Sequence, residues 1–134
     1  MGIGKCFTAI GAAAGLVLLM GSPLALAADH SMGFFVTSVG IGDGGNLGGL
    51  AGGDAHCKKL AEAAGSKGRT WRAYLSSQVA GKRGISARDR IGQGPWYNAK
   101  GDLIASDLDQ LHIQPNLVKR TAVDENGNLV KGRG

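Results

Sequence analysis

With 134 residues, 15 Lys or Arg against 10 Asp or Glu and a formal net charge of +5, the chain has room for one domain and not for several. The balance is only mildly basic, so no nucleic-acid partner is expected. Three histidines and two cysteines leave few ways to assemble a metal centre or a nucleophilic site.

Residues 1–27 read as a secretory signal peptide. Lys5 supplies a minimal basic region, Cys6 to Met20 an apolar run, and Ala25-Leu26-Ala27 a small-x-small cleavage site. The alternative is an uncleaved membrane anchor, against which stand the short glycine- and alanine-rich core and the break at Pro23. No cysteine follows the cleavage site, so a lipoprotein processing signal is absent. The expected product is secreted or periplasmic, with no membrane span once the leader is gone. Cleavage would remove Cys6 and leave Cys57 as an unpaired thiol, or as a small buried hydrophobe. Residues 28–33 then form the mature N-terminal tail, whose Ala28-Asp29-His30 could wrap a copper(II) ion with amine, amide and imidazole nitrogens.

The domain proper spans 34–134. Phe34 to Val39 is a β-rich run and the first expected strand. Gly40 to Gly53 is a glycine-dense loop that formally satisfies G-x-G-x-x-G, but no helix opens at its third glycine and no acidic residue ends a second strand. It is expected to be a flexible surface loop, and no cofactor is assigned. Cys57, Leu60, Ala61 and Ala64 then form one apolar helical stripe, with Lys58, Lys59 and Glu62 elsewhere, Asp54 suited to capping the start and Gly65 to the end. Trp71, Ala73 and Leu75 alternate with Arg72, Tyr74 and Ser76, the period of a strand with one buried face.

Lys82 to Gly94 is a basic loop with a single helical turn from Ser86. Trp96-Tyr97 and Leu103-Ile104 flank a turn at Lys100-Gly101-Asp102. Ser106 is a candidate cap for a short helix holding Leu108 and Leu111. Thr121 to Val123 and Leu129-Val130 flank Asp124 to Asn128, where Asn126-Gly127 signals a two-residue hairpin turn. A calcium loop is the weaker reading of Asp124-x-Asn126-x-Asn128, since its glycine sits one position early and no bidentate glutamate closes it. The fold class is α+β with short antiparallel strands and two helices.

Several of these segments together resemble the endostatin-like branch of the C-type-lectin-like superfamily. The matching residues are Ala51, Gly52, Asp54 and Cys57, then Arg72, Ala73, Leu75, Ser76 and Ser77. Arg88-Asp89-Arg90, Pro95 to Ala105, the Leu108/Leu111 helix and the hairpin from Asp124 to Val130 follow in the family's order, so the likeness runs from about Phe34 to the end. It implies a bacterial secreted homologue with Asp54 and Cys57 in structural roles. It also implies that Cys57 pairs with a cysteine near the far end of the domain, in a second half with further strands. The chain stops at Lys131-Gly132-Arg133-Gly134, so the sequence is expected to be an N-terminal portion of a truncated domain. The calcium and sugar ligands of C-type lectins lie in that second half, and endostatin itself lacks the lectin site, so no ligand follows from the name.

With no paired carboxylates, nucleophile elbow or metal-ligand spacing, an enzyme is not expected. His56 is expected on the solvated surface, and His112 at the end of a short helix, where the dipole favours an imidazole. What remains is charge. Lys58, Lys59, Lys67, Arg69, Arg72, Lys82, Arg83, Arg88 and Arg90 outnumber Glu62 and Asp89. Endostatin-like proteins bind heparan sulfate through surface arginines, and Arg72, Arg88 and Arg90 stand at matching positions, with Lys82 and Arg83 beside them. A solvated surface is the plain alternative, and Arg72 and Arg90 could instead pair with Asp54 or Asp89. The expected function is a non-enzymatic binding module for a glycan or other polyanion. The alternative is a structural or envelope-associated domain contacting extracellular or envelope proteins.

Overall fold

The computed structural model describes residues 4–9 and 30–131. The expected cleavage site and most of the leader lie outside those residues, as do Ala28 and Asp29. The first described segment is a strand. Lys5–Thr8 forms β1, which lies between β2 (Phe34–Val36) and β3 (Trp71–Ala73), antiparallel to both, in the order β2-β1-β3. Cys6 stands opposite Phe35 and Ala73, and Phe7 opposite Phe34 and Arg72.

Alternation along β1 sends Cys6 and Phe7 to opposite faces of the sheet. Two cores result. On one face Cys6, Phe35, Trp71 and Ala73 pack with Cys57 and Ala61 of α1 (Gly49–Ala63). On the other, Phe7, Phe34 and Val36 pack with Ile91, Trp96, Ile104 and Ala105. The second layer holds the one-turn helix α2 (Ala87–Arg90), the hairpin β4 (Trp96–Tyr97) and β5 (Leu103–Ala105), and the short helix α3 (Leu108–Ile113). The class is α+β with short antiparallel strands, with three helices rather than two among the described residues. The added one is the turn expected at Ser86.

Local signals account for most elements. α1 ends in a Schellman motif: Ser66 N–H donates to Ala61 O at 2.8 Å and Gly65 N–H to Glu62 O at 3.1 Å, with Gly65 at φ 97°. The α3 cap lies one residue later than expected. Asp107 accepts from Gln110 N–H at 2.8 Å, and Gln110 Oε1 accepts from Ser106 N–H at 2.6 Å, a reciprocal arrangement akin to a capping box.

The Asp124 hairpin forms, but through a three-residue loop. Asp124 N–H donates to Asn128 O at 2.8 Å and Gly127 N–H to Asp124 O at 3.0 Å, with Gly127 at φ 83°. That is a type I turn followed by a left-handed glycine. Asp124 Oδ1 accepts from Asn126 and Asn128 N–H at 2.9 and 2.8 Å, so hairpin amides fill the carboxylate. Asn98 repeats the device in the β4–β5 turn, accepting from Lys100 and Asp102 N–H at 2.9 Å each.

The cysteines require a correction. Cys57 is not an unpaired thiol: it is bonded to Cys6 across 51 residues, with Cα atoms 5.6 Å apart, and no cysteine is free. The expectation failed because it treated Cys6 as leaving with the leader. With residues 4–9 in place, Cys6 lies in the central strand and faces the Cys57 side of α1.

Candidate functional site

The basic residues singled out by sequence lie on β3, the loop after it and α2. That loop is closed at its base by an isolated antiparallel bridge between Ser77 and Ile85, whose backbones exchange hydrogen bonds at 2.9 Å. Ser76 Oγ accepts from Ala87 N–H at 2.9 Å and so fixes the start of α2 against the end of β3. The chain thereby brings Arg72, Arg88 and Arg90 onto neighbouring elements, with Lys82 and Arg83 on the loop.

Their environments differ. Asp54 does not cap α1, whose N-cap is Gly48 with no side-chain hydrogen bond. It sits inside the helix and reaches across to β3, accepting from Ala73 N–H at 2.9 Å, from Arg72 Nη1 at 2.9 Å and from Arg90 Nη2. Arg90 also donates to Ala73 O at 2.9 Å. Its side chain is 11% exposed, against 42% for Arg72. Arg90 therefore cross-links α2, β3 and α1 and is not a surface residue, while Arg72 keeps an exposed flank. Two guanidinium groups on one carboxylate leave that cluster with one net positive charge.

Burial pushes the Asp54 carboxyl up, but hydrogen bonds from Arg90, Ala73 N–H and Arg72 outweigh it and hold the pKa below the ordinary value of 3.8. Arg88 pairs with Asp109 at 2.7 Å, with both side chains exposed. Such a pair is worth about 1 kcal/mol or less and opens readily. Lys82 and Arg83 are exposed and form no ion pair among the described residues.

The histidines are more engaged than sequence suggested. The His30 ring stacks on Tyr97, with centroids 4.5 Å apart and planes 15° from parallel; the other residues of the expected copper motif lie outside the described ones. His56 is half-buried rather than solvated, and its Nε2 lies 2.9 Å from Val39 O, which only an N–H can satisfy. His112 Nδ1 lies 2.6 Å from Leu108 O and so donates, leaving Nε2 to accept from Tyr74 OH at 2.7 Å when the ring is neutral.

Sequence reasoning missed the Ser38–Glu125 contact. Glu125, nearly buried, accepts from Ser38 N–H at 3.1 Å and from Ser38 Oγ, tying the end of β2 to the Asp124 hairpin. Nothing in either segment announces a partner 87 residues away. Among the described residues no group of three or more His, Cys, Asp or Glu could hold a metal ion, and no helix is long and apolar enough to cross a membrane. No family model, curated protein or solved structure matches the chain.

Proposed function

We propose that this is a non-enzymatic binding module of the endostatin-like, C-type-lectin-like kind, exported to the periplasm or the cell exterior with β1 and Cys6 retained, that recognises glycans or other polyanions. The surface is the loop after β3 with the exposed flanks of Arg72 and Arg88. The observation that carries the reading is the pair Lys82 and Arg83, exposed on a loop pinned at Ser77 and Ile85 and free of ion pairs among the described residues.

Guanidinium forks match sulfate and carboxylate geometry. Because each exposed contact is worth about 1 kcal/mol or less, several must act together and salt must screen them. Retention on heparin is the test. Lys82→Gln with Arg83→Gln should lower the elution salt more than Lys58→Gln with Lys59→Gln, which removes the same charge from α1. Equal shifts would mean a basic surface without a site.

A second reading, a structural or envelope-associated protein-interaction domain, is favoured by Val79 and Ile85, two exposed apolar residues on the same loop. Val79→Ser with Ile85→Ser separates the two. Loss of capture of envelope proteins with unchanged heparin elution supports the second.

A further inference from the structure

Between the glycine loop, the first half of α1 and the adjoining ends of β1 and β3 lies a cavity of about 280 Å³, close to the lower limit of about 300 Å³ for small-molecule sites. Ile41, Leu47, Ala73 and Leu75 supply apolar wall, and its titratable residues besides Tyr74 are Lys5 and His56. Among the described residues no carboxylate lines it.

The cavity has a built wall. Sequence reasoning treated the glycine loop as slack, but Asp43 O accepts from Asn46 N–H and Asp43 Oδ2 from Asn46 Nδ2, both at 3.0 Å, while Asn46 Oδ1 accepts from Gly48 N–H at 3.2 Å. The His56–Val39 hydrogen bond ties the start of the loop to α1. Gly52 and Gly53 set the spacing. A Cβ at Gly52 would stand 2.1 Å from Leu47 O, and one at Gly53 2.7 Å from Leu75 Cδ1. Glycine at 52 lets the loop backbone approach the helix this closely, and at 53 it leaves room for the Ala73 Cβ of β3, which an added Cβ would meet at 3.1 Å.

We propose that this cavity binds a short aliphatic or aromatic carboxylate, its hydrocarbon against Ile41, Leu47 and Leu75 and its charge on the side of Lys5 and His56. Apolar walls favour the hydrocarbon by removing it from water. Among the described residues the lining offers the Lys5 ammonium and the His56 imidazole with no carboxylate beside them, which favours an anionic head over an ammonium and gives selectivity by charge as well as by shape.

The test uses the full chain with its disulfide intact, titrated with octanoate, octanol and octylammonium and followed by two-dimensional NMR and thermal melting. Octanoate should saturate, raise Tm and shift resonances of Ile41, Leu47 and Leu75, with octanol weaker and octylammonium weakest. Leu47→Asp should weaken octanoate by about tenfold or more. Ile41→Asp, on the exposed part of the loop, gives a second variant should the first not fold. Lys5→Gln with His56→Gln should abolish the preference for octanoate over octanol. Octylammonium binding as tightly as octanoate, or octanoate binding unchanged in the folded loop variants, would overturn the proposal.

Discussion

The three-stranded sheet and the segment from Trp96 to Lys131 are stabilised over different distances along the chain. In the sheet the decisive contacts are remote: Cys6 to Cys57 spans 51 residues, Arg90 to Asp54 spans 36, and Trp96 Nε1 donates to Thr8 O across 88. Beyond Trp96 much of the polar scaffolding is short-range, with Asn98 bonded to Lys100 and Asp102, Asp107 to Gln110, and Asp124 to Asn126 and Asn128. A turn that carries its own acceptors can form wherever the chain goes. The sheet can form only when β1 is present, since β2 and β3 each pair with β1.

The sheet is most sensitive at Phe7, whose ring lies within 4.9 to 5.6 Å of the rings of Phe34, Tyr74 and Trp96. Phe7→Ala should cost about 3–5 kcal/mol, the range for deleting a buried aromatic ring, as measured by urea unfolding. Asp54→Ala should cost nearly as much, about 3 kcal/mol, because it leaves the largely covered Arg90 without its carboxylate. Reducing the disulfide should remove about 2–4 kcal/mol, read as a lower Tm in the presence of a phosphine. At the other extreme, Gly127→Ala places a Cβ in a left-handed turn. It should cost about 1 kcal/mol, with hydrogen exchange faster in the hairpin and unchanged in β1.

Acid acts on the remote contacts as well. The folded Asp54 carboxyl is held below its ordinary value of 3.8, so its contribution is fully present above that value and is lost as pH falls through the lower, folded one. The Tm of the native chain should therefore fall more steeply below about pH 4 than that of Asp54→Asn. Parallel acid limbs would remove Asp54 from the account.

The same division explains what was legible in the sequence. The α1 stripe, Gly65, the alternation of β3 and both later turns were readable because each signal lies within a few residues of its effect. The Asn126-Gly127 pair still misled by one residue, since Asp124 supplies the acceptor that favours the longer loop. Lys5 to Thr8 was not legible as a strand, because a lysine followed by an apolar run reads the same way at the head of a leader. Asp54 looked like a cap because a helix-proximal aspartate usually is one. Only the fold reveals that Arg72 and Arg90 converge on it, although their pairing with Asp54 was among the alternatives. Arg90 thus leaves the candidate surface, and Lys82 and Arg83, secondary in sequence, become its centre.

β1 belongs to the folded domain and is bolted to α1 by Cys6 and Cys57. Proteolytic mapping of the unreduced, purified full chain tests it most directly. The expected result is a fragment pair joined through Cys6 and Cys57 that separates on reduction, with no alkylation of either cysteine when the protein is unfolded without reductant. Alkylation of both cysteines in that experiment, with the fold intact beforehand, would contradict it.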